Sequence, residues 1–166
     1  MLVVYALRRY STIVEVDIVA EINADRTQVF RWGVTDFGNL HWHDCLIHGI
    51  SIGNDTLNLT FDIDYLLQWP TENERGKFLV VRCDLVFFDT RDLVIECASM
   101  YPSLEIGTIR METPESGEEI TDNEPERKKF FLECQEGVLS FTATGFEQTA
   151  TGEPTWCNTA YSLRKT

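Results

Sequence analysis

Between residues 56 and 65 the chain alternates without a break. Leu57, Leu59, Phe61, Ile63 and Tyr65 interleave with Asn58, Thr60, Asp62 and Asp64. Side chains of an extended strand point to opposite faces in turn, so this pattern builds a strand with one buried and one wet flank. A helix would scatter the same residues around its axis. Upstream, 45–52 (CLIHGISI) alternates more weakly. Gly53, Asn54 and Asp55 between them are turn formers, because Gly and Asn tolerate positive φ. The two segments read as a hairpin. Setting Ile52 opposite Leu57 brings Ile50 to Leu59, His48 to Phe61 and Leu46 to Ile63, with every apolar residue on one flank. Cys45, Asp62 and Asp64 then share the other flank, with His43 there if the strand extends back. A one-residue slip would move a whole set to the wrong face.

The same period recurs elsewhere. Residues 13–22 (IVEVDIVAEI) separate Val14, Val16, Ile18, Ala20 and Ile22 from Glu15, Asp17 and Glu21. Further strands are expected at 78–88 and 92–98, around Asp89, Thr90 and Arg91, and at 104–113. Residues 129–135 and 138–147 flank Glu136 and Gly137, a two-residue turn that sets Phe130, Leu132 and Cys134 beside Ala143, Phe141 and Leu139. Residues 156–164 read as a closing strand. The stretches 69–77 and 114–126 read as loops, the second a solvated acidic one. Residues 23–42 fit neither period, and a short helix has room at 65–69 or within 23–37. The expected fold is mainly β: an antiparallel β-sandwich or partly open barrel of about 8–10 strands with at most one or two short helices. At 166 residues the chain reads as one domain, with 1–39 an N-terminal strand and extension and 40–166 the β core.

A formal net charge of -13 repels nucleic acid and anionic lipid and steers in basic partners. The five cysteines, Cys45, Cys83, Cys97, Cys134 and Cys157, are odd in number and contain no C-x-x-C pair. That pattern speaks for buried free thiols rather than a disulfide framework or zinc finger. The N-terminal apolar stretch is too short for a signal peptide, and no run approaches the length of a membrane helix. A cytoplasmic chain is the expectation.

All three histidines fall in the run HWHDCLIH, as His41, His43 and His48. The hairpin register carries His43 toward Asp62 and Asp64. The candidate polar cluster is therefore His43, Asp44, Asp62, Asp64, Tyr65 and Trp69. Two imidazoles and two carboxylates are a donor set for zinc or manganese, so His41, His43, Asp62 and Asp64 are the candidate metal ligands. Such a metal would generate hydroxide for hydrolysis. The competing explanation is local hydrogen bonding on a solvated strand face, with His48 a packed histidine. Asp62 and Asp64 also have the i, i+2 spacing of paired carboxylates. Cys45, near His43 and Asp64, is the one candidate nucleophile, set against the commoner buried thiol. Nucleophile elbows, dinucleotide fingerprints, Walker loops and calcium loops are absent from the sequence. Trp32, Trp42, Trp69 and Trp156 serve either a ligand pocket or ordinary core and rim packing.

The segments WHDCLIHGI, LTFDIDYLLQW, FLVVRCDLVF and GFEQTATGEP together resemble a group of small bacterial β proteins of uncharacterised function, with an HD, DIDY, Trp and LVF pattern. The residues carrying it are His43, Asp44, Asp62, Asp64, Tyr65, Trp69, Leu85, Val86 and Phe87, and it covers about 40–166. The resemblance implies a shared β core and no activity. In size and acidity the chain also resembles the immunity proteins that neutralise bacterial toxins. The leading expectation is a non-enzymatic acidic module that recognises a basic protein partner and needs no cofactor. The alternatives are a metal-dependent hydrolase using the His/Asp cluster and a small-ligand-binding β-barrel.

Overall fold

The computed structural model describes residues 30–70, 77–98, 104–113 and 125–160. Ten strands follow in order: β1 (Arg31–Gly33), β2 (Cys45–Ile52), β3 (Leu59–Gln68), β4 (Phe78–Phe88), β5 (Arg91–Cys97), β6 (Leu104–Glu112), β7 (Lys128–Cys134), β8 (Gly137–Ala143), β9 (Gly145–Ala150) and β10 (Thr155–Cys157). A 3-10 helix at Val34–Asn39 lies between β1 and β2. Its start is tied down by the Gly33 amide donating to Asp36 Oδ2 at 2.8 Å. Among the described residues no helix is long and apolar enough to cross a membrane.

All strands join one antiparallel sheet in the order β1-β9-β4-β3-β2-β6-β7-β8-β5, with β10 added beside β4. The two ends of that order do not pair, so the sheet is not closed into a barrel. It nevertheless folds onto itself. Phe61 of β3 and Phe87 of β4 meet Phe130 of β7 and Phe141 of β8, although β2 and β6 stand between those pairs in the sheet. The Phe87 ring lies 4.9 Å from Phe130 and 4.7 Å from Phe141, both near edge-on. These four phenylalanines are fully buried and form the centre of the core. Edge-to-face contact is the geometry that aromatic quadrupoles favour.

The fold class is as the alternation implies, but two registers differ. In the β2–β3 hairpin Ile52 faces Leu59 and Ile50 faces Phe61, a shift of two from the expected pairing. The connection is longer than Gly53–Asp55, because Leu57 (φ 53°) belongs to it and is exposed. A β-bulge then interrupts β2 between Ile47 and Gly49. One extra residue reverses which side chains face inward. Below the bulge Ile50 packs partly against the core while Ile52, at the strand end, is exposed; above it Cys45 and Ile47 are buried. Cys45 is therefore a core residue on the opposite flank from Asp62, and Leu46 stands opposite the buried Asp64.

The β7–β8 hairpin is also shifted by two. Phe130 faces Phe141, Leu132 faces Leu139 and Cys134 faces Gly137. The turn is Gln135 and Glu136, and Gly137 already belongs to the strand. The expected strand 138–147 is two strands, β8 and β9, separated by Thr144, whose amide donates to the Phe88 carbonyl at 3.0 Å. β5 follows β4 directly yet pairs with β8 instead. The ambiguous 23–42 region supplies β1 and the 3-10 helix, whereas 65–68 is strand. The strand at 13–22, the loop at 114–124, most of the loop at 69–77 and the end of 156–164 lie outside the described residues.

Candidate functional site

The bulge in β2 organises the polar residues around it. It places His48 Nε2 2.9 Å from Asp64 Oδ2, a hydrogen bond to a carboxylate that is wholly buried. A buried carboxylate needs such partners, because its desolvation is otherwise costly. Above the bulge, residues 42–45 make a tight turn. Cys45 N donates to the Trp42 carbonyl at 3.0 Å, and Asp44 (φ 62°) donates its amide to the Ile106 carbonyl at 2.9 Å. The exposed His43 imidazole holds Asp44, with Nδ1 to Oδ1 2.8 Å, and lies 5.9 Å from the Trp69 ring. Tyr65 turns inward, its hydroxyl accepting from His41 N at 3.3 Å. Asp62 has Arg82 Nη2 at 4.0 Å.

The six cluster residues thus fall into groups. His43, Asp44 and Trp69 come together, Asp64 joins His48, Tyr65 supports the backbone at His41, and Asp62 joins the outer face of β4. Of the four residues considered as metal ligands, His41 engages Tyr65 through its backbone, and the other three have the separate partners just given. Among the described residues no group of three or more His, Cys, Asp or Glu side chains is placed to hold a metal ion. Cys45 is fully buried. Burial pushes its thiol up to about 12, and the nearby Asp44 and Asp64 charges add to the rise. The thiolate, the reactive form, is therefore suppressed at neutral pH. The interior is filled by phenylalanine rings, so a small ligand would have to seat on an outer face or rim.

One outer face is concave. Gly49, Ile50 and Ser51 of β2, Thr60 and Asp62 of β3, Arg82 and Asp84 of β4, and Thr151 line a depression of about 460 Å³. Its floor is set by register. Asp62 stands directly opposite Asp84 on one side and opposite Gly49 on the other. Gly49 has no side chain, so the row Gly49–Asp62–Asp84 is open at one end and carries two carboxylates at the other, with Arg82 beside Asp62. Like charges directly opposite each other on paired strands are destabilising. Among the described residues Asp84 has no ion-pair partner.

Asp84, Arg82, Gly49 and Thr151 were not among the residues singled out from sequence. The signal was there in part. Arg82 and Asp84 are the i, i+2 polar positions of an otherwise apolar run, FLVVRCDLVFF, and so must point outward if that run is a strand. What the sequence lacked was the β3–β4 register that brings Asp84 to Asp62. Gln148 was likewise missed. It is fully buried, accepts from the Trp42 indole Nε1 at 2.8 Å and directs its amide toward Cys83 Sγ at 3.8 Å. That contact satisfies a core tryptophan, which is a structural task.

No protein-family model, curated protein or solved structure matches the chain.

Proposed function

We propose that the protein is a non-enzymatic binding module, immunity-protein-like in scale and charge, whose concave acidic face receives a basic side chain of a protein partner. The observation that carries this reading is the in-register juxtaposition of Asp62 and Asp84 on the floor of the depression. An inserted lysine or arginine meets Asp84 and relieves its repulsion with Asp62, which already has Arg82 at 4.0 Å. Ser51, Thr60 and Thr151 on the walls supply hydroxyls for the same guest. The net charge of -13 draws a basic partner in from a distance, an effect on encounter rate that salt screens.

The test is capture from an extract of the native host on immobilised protein, at low and high salt. Wild-type protein is compared with Asp62→Asn/Asp84→Asn, and the captured chain is identified by mass spectrometry. A basic protein should be held at low salt, released at high salt and lost with the double variant. Capture that is indifferent to both salt and the substitutions, or no capture at all, refutes the reading.

A further inference from the structure

β5 ends the sheet. It pairs with β8 on one side, and among the described residues no strand pairs with its other side. An open edge of this kind is a template for a further strand. Prolines and lysines commonly blunt such edges, and β5 carries neither. Its one irregularity is a bulge between Arg91 and Val94. Beyond the bulge, Val94 to Cys97 run in regular register with Ser140 to Gly137. Gly137 seats the strand closely, since a Cβ there would lie 2.0 Å from the Glu96 carbonyl oxygen.

Hydrogen-bond parity fixes which backbone groups the edge offers. Ala98 N donates to Glu136 O at 2.9 Å, so the row joining these two residues is a bonded one. Bonded and unbonded rows alternate along an antiparallel pair. The rows of Glu96 and Val94 therefore bond β8, and the amides and carbonyls of Ile95 and Cys97 face away from it.

The two flanks of this edge differ. Ile95 stands opposite the fully buried Leu139 and so faces the core, and Leu93 and Cys97 pack partly against that core. Ile95 is nevertheless 42% exposed, at the open margin of the interior. On the outer flank Val94, opposite Ser140, is 48% exposed. Glu96 shares that flank by alternation, and so does Asp92, whose carboxylate accepts from Thr142 Oγ1 at 3.4 Å. Both acids are exposed. The edge thus carries an apolar row inside and an acid–apolar–acid row outside.

We infer that β5 receives an extended segment of a partner protein, added antiparallel, in which apolar residues alternate with lysine or arginine. Charge complementarity selects this occupant. Basic side chains on the outer flank meet Asp92 and Glu96, while apolar ones cover Ile95 and continue the core. A second copy of the chain would instead bring the same acids and a net charge of -13 to the edge. This surface is separate from the depression, which lies on β2, β3 and β4, and does not depend on it.

A fluorescent heptapeptide that alternates lysine with valine or isoleucine tests the edge, its anisotropy followed as the full chain is added. Wild type should bind it one to one, and a version with glutamate for lysine should not bind. Asp92→Asn/Glu96→Gln should weaken binding by about three- to tenfold, the loss of two exposed charge pairs. Asp62→Asn/Asp84→Asn removes the same net charge at the depression and should leave it unchanged. Two further peptides need no protein variant. Residues opposite Ile95 and Cys97 exchange both backbone bonds with them, and these are the apolar ones. N-methylation of the apolar residues should therefore abolish binding, and N-methylation of the lysines should not. The inference is overturned if the heptapeptide fails to bind, as it would if a second copy or another part of the chain lay on β5. It is equally overturned if the two double variants behave alike, or if N-methyl groups at apolar positions are tolerated.

Discussion

Phe130 and Phe131 are adjacent in β7 and chemically identical, yet the pleat gives them opposite surroundings. The Phe130 ring is fully buried, 4.9 Å from Phe87 and 5.8 Å from Phe141, with Phe37 and Phe146 each at 6.4 Å. Phe131 lies on the outer face, beneath Arg110 Cζ at 4.6 Å and Lys129 Nζ at 5.1 Å. Truncating a buried phenylalanine to alanine removes its transfer energy and leaves a cavity, costing about 3–5 kcal/mol. Two exposed cation–π contacts contribute about 0.5–1 kcal/mol each, so Phe131→Ala should cost about 1–2 kcal/mol. At this chain length each kcal/mol lowers the melting temperature by roughly 2–4 °C. Phe130→Ala should therefore melt about 10 °C below wild type and Phe131→Ala about 4 °C below. Urea unfolding followed by tryptophan fluorescence measures both free energies, and an unchanged slope shows that the transition is comparable. Equal losses, or a larger loss at Phe131, would mean that β7 does not present alternate residues to the core, and the account of the fold would fail.

Two further outcomes follow from the same structure. Gly137→Ala forces a methyl group to within 2.0 Å of the Glu96 carbonyl and should cost more than about 2 kcal/mol, because backbone rather than a flexible side chain must move. An unaltered urea midpoint would show that β5 does not sit against β8 as described. The buried thiols make the fold sensitive to alkali. Cys45 rises from 9.0 to about 12 on folding, so the unfolded chain ionises first. Its stabilising contribution is complete below pH 9 and is lost as pH climbs toward 12. Urea midpoints should fall across that window, and Cys45→Ala should flatten the fall; the same slope in the variant would refute this origin.

Alternation made the strand content legible, since Leu59, Phe61 and Ile63 are buried together as their spacing requires. It did not reveal the pairing. A bulge at His48 leaves no mark in composition, because what holds it is a hydrogen bond to Asp64, sixteen residues away. Leu57 continues the apolar period but adopts positive φ in the connection, where the contact between its carbonyl and Thr90 N outweighs its strand preference. The candidate site was half visible for the same reason. Asp62 stood out because it interrupts apolar neighbours. Asp84 became significant only once β3 and β4 were set in register, a long-range fact that no local pattern encodes.

Thr144 is the single residue at which the chain passes from β8 to β9, and so from the half of the sheet bounded by β5 to the half bounded by β1. There is no slack in that joint. Tension on either half is transmitted at once to the other, while Phe87 grips both from within. The two halves cannot come apart like separate lobes, and the protein should melt all-or-none.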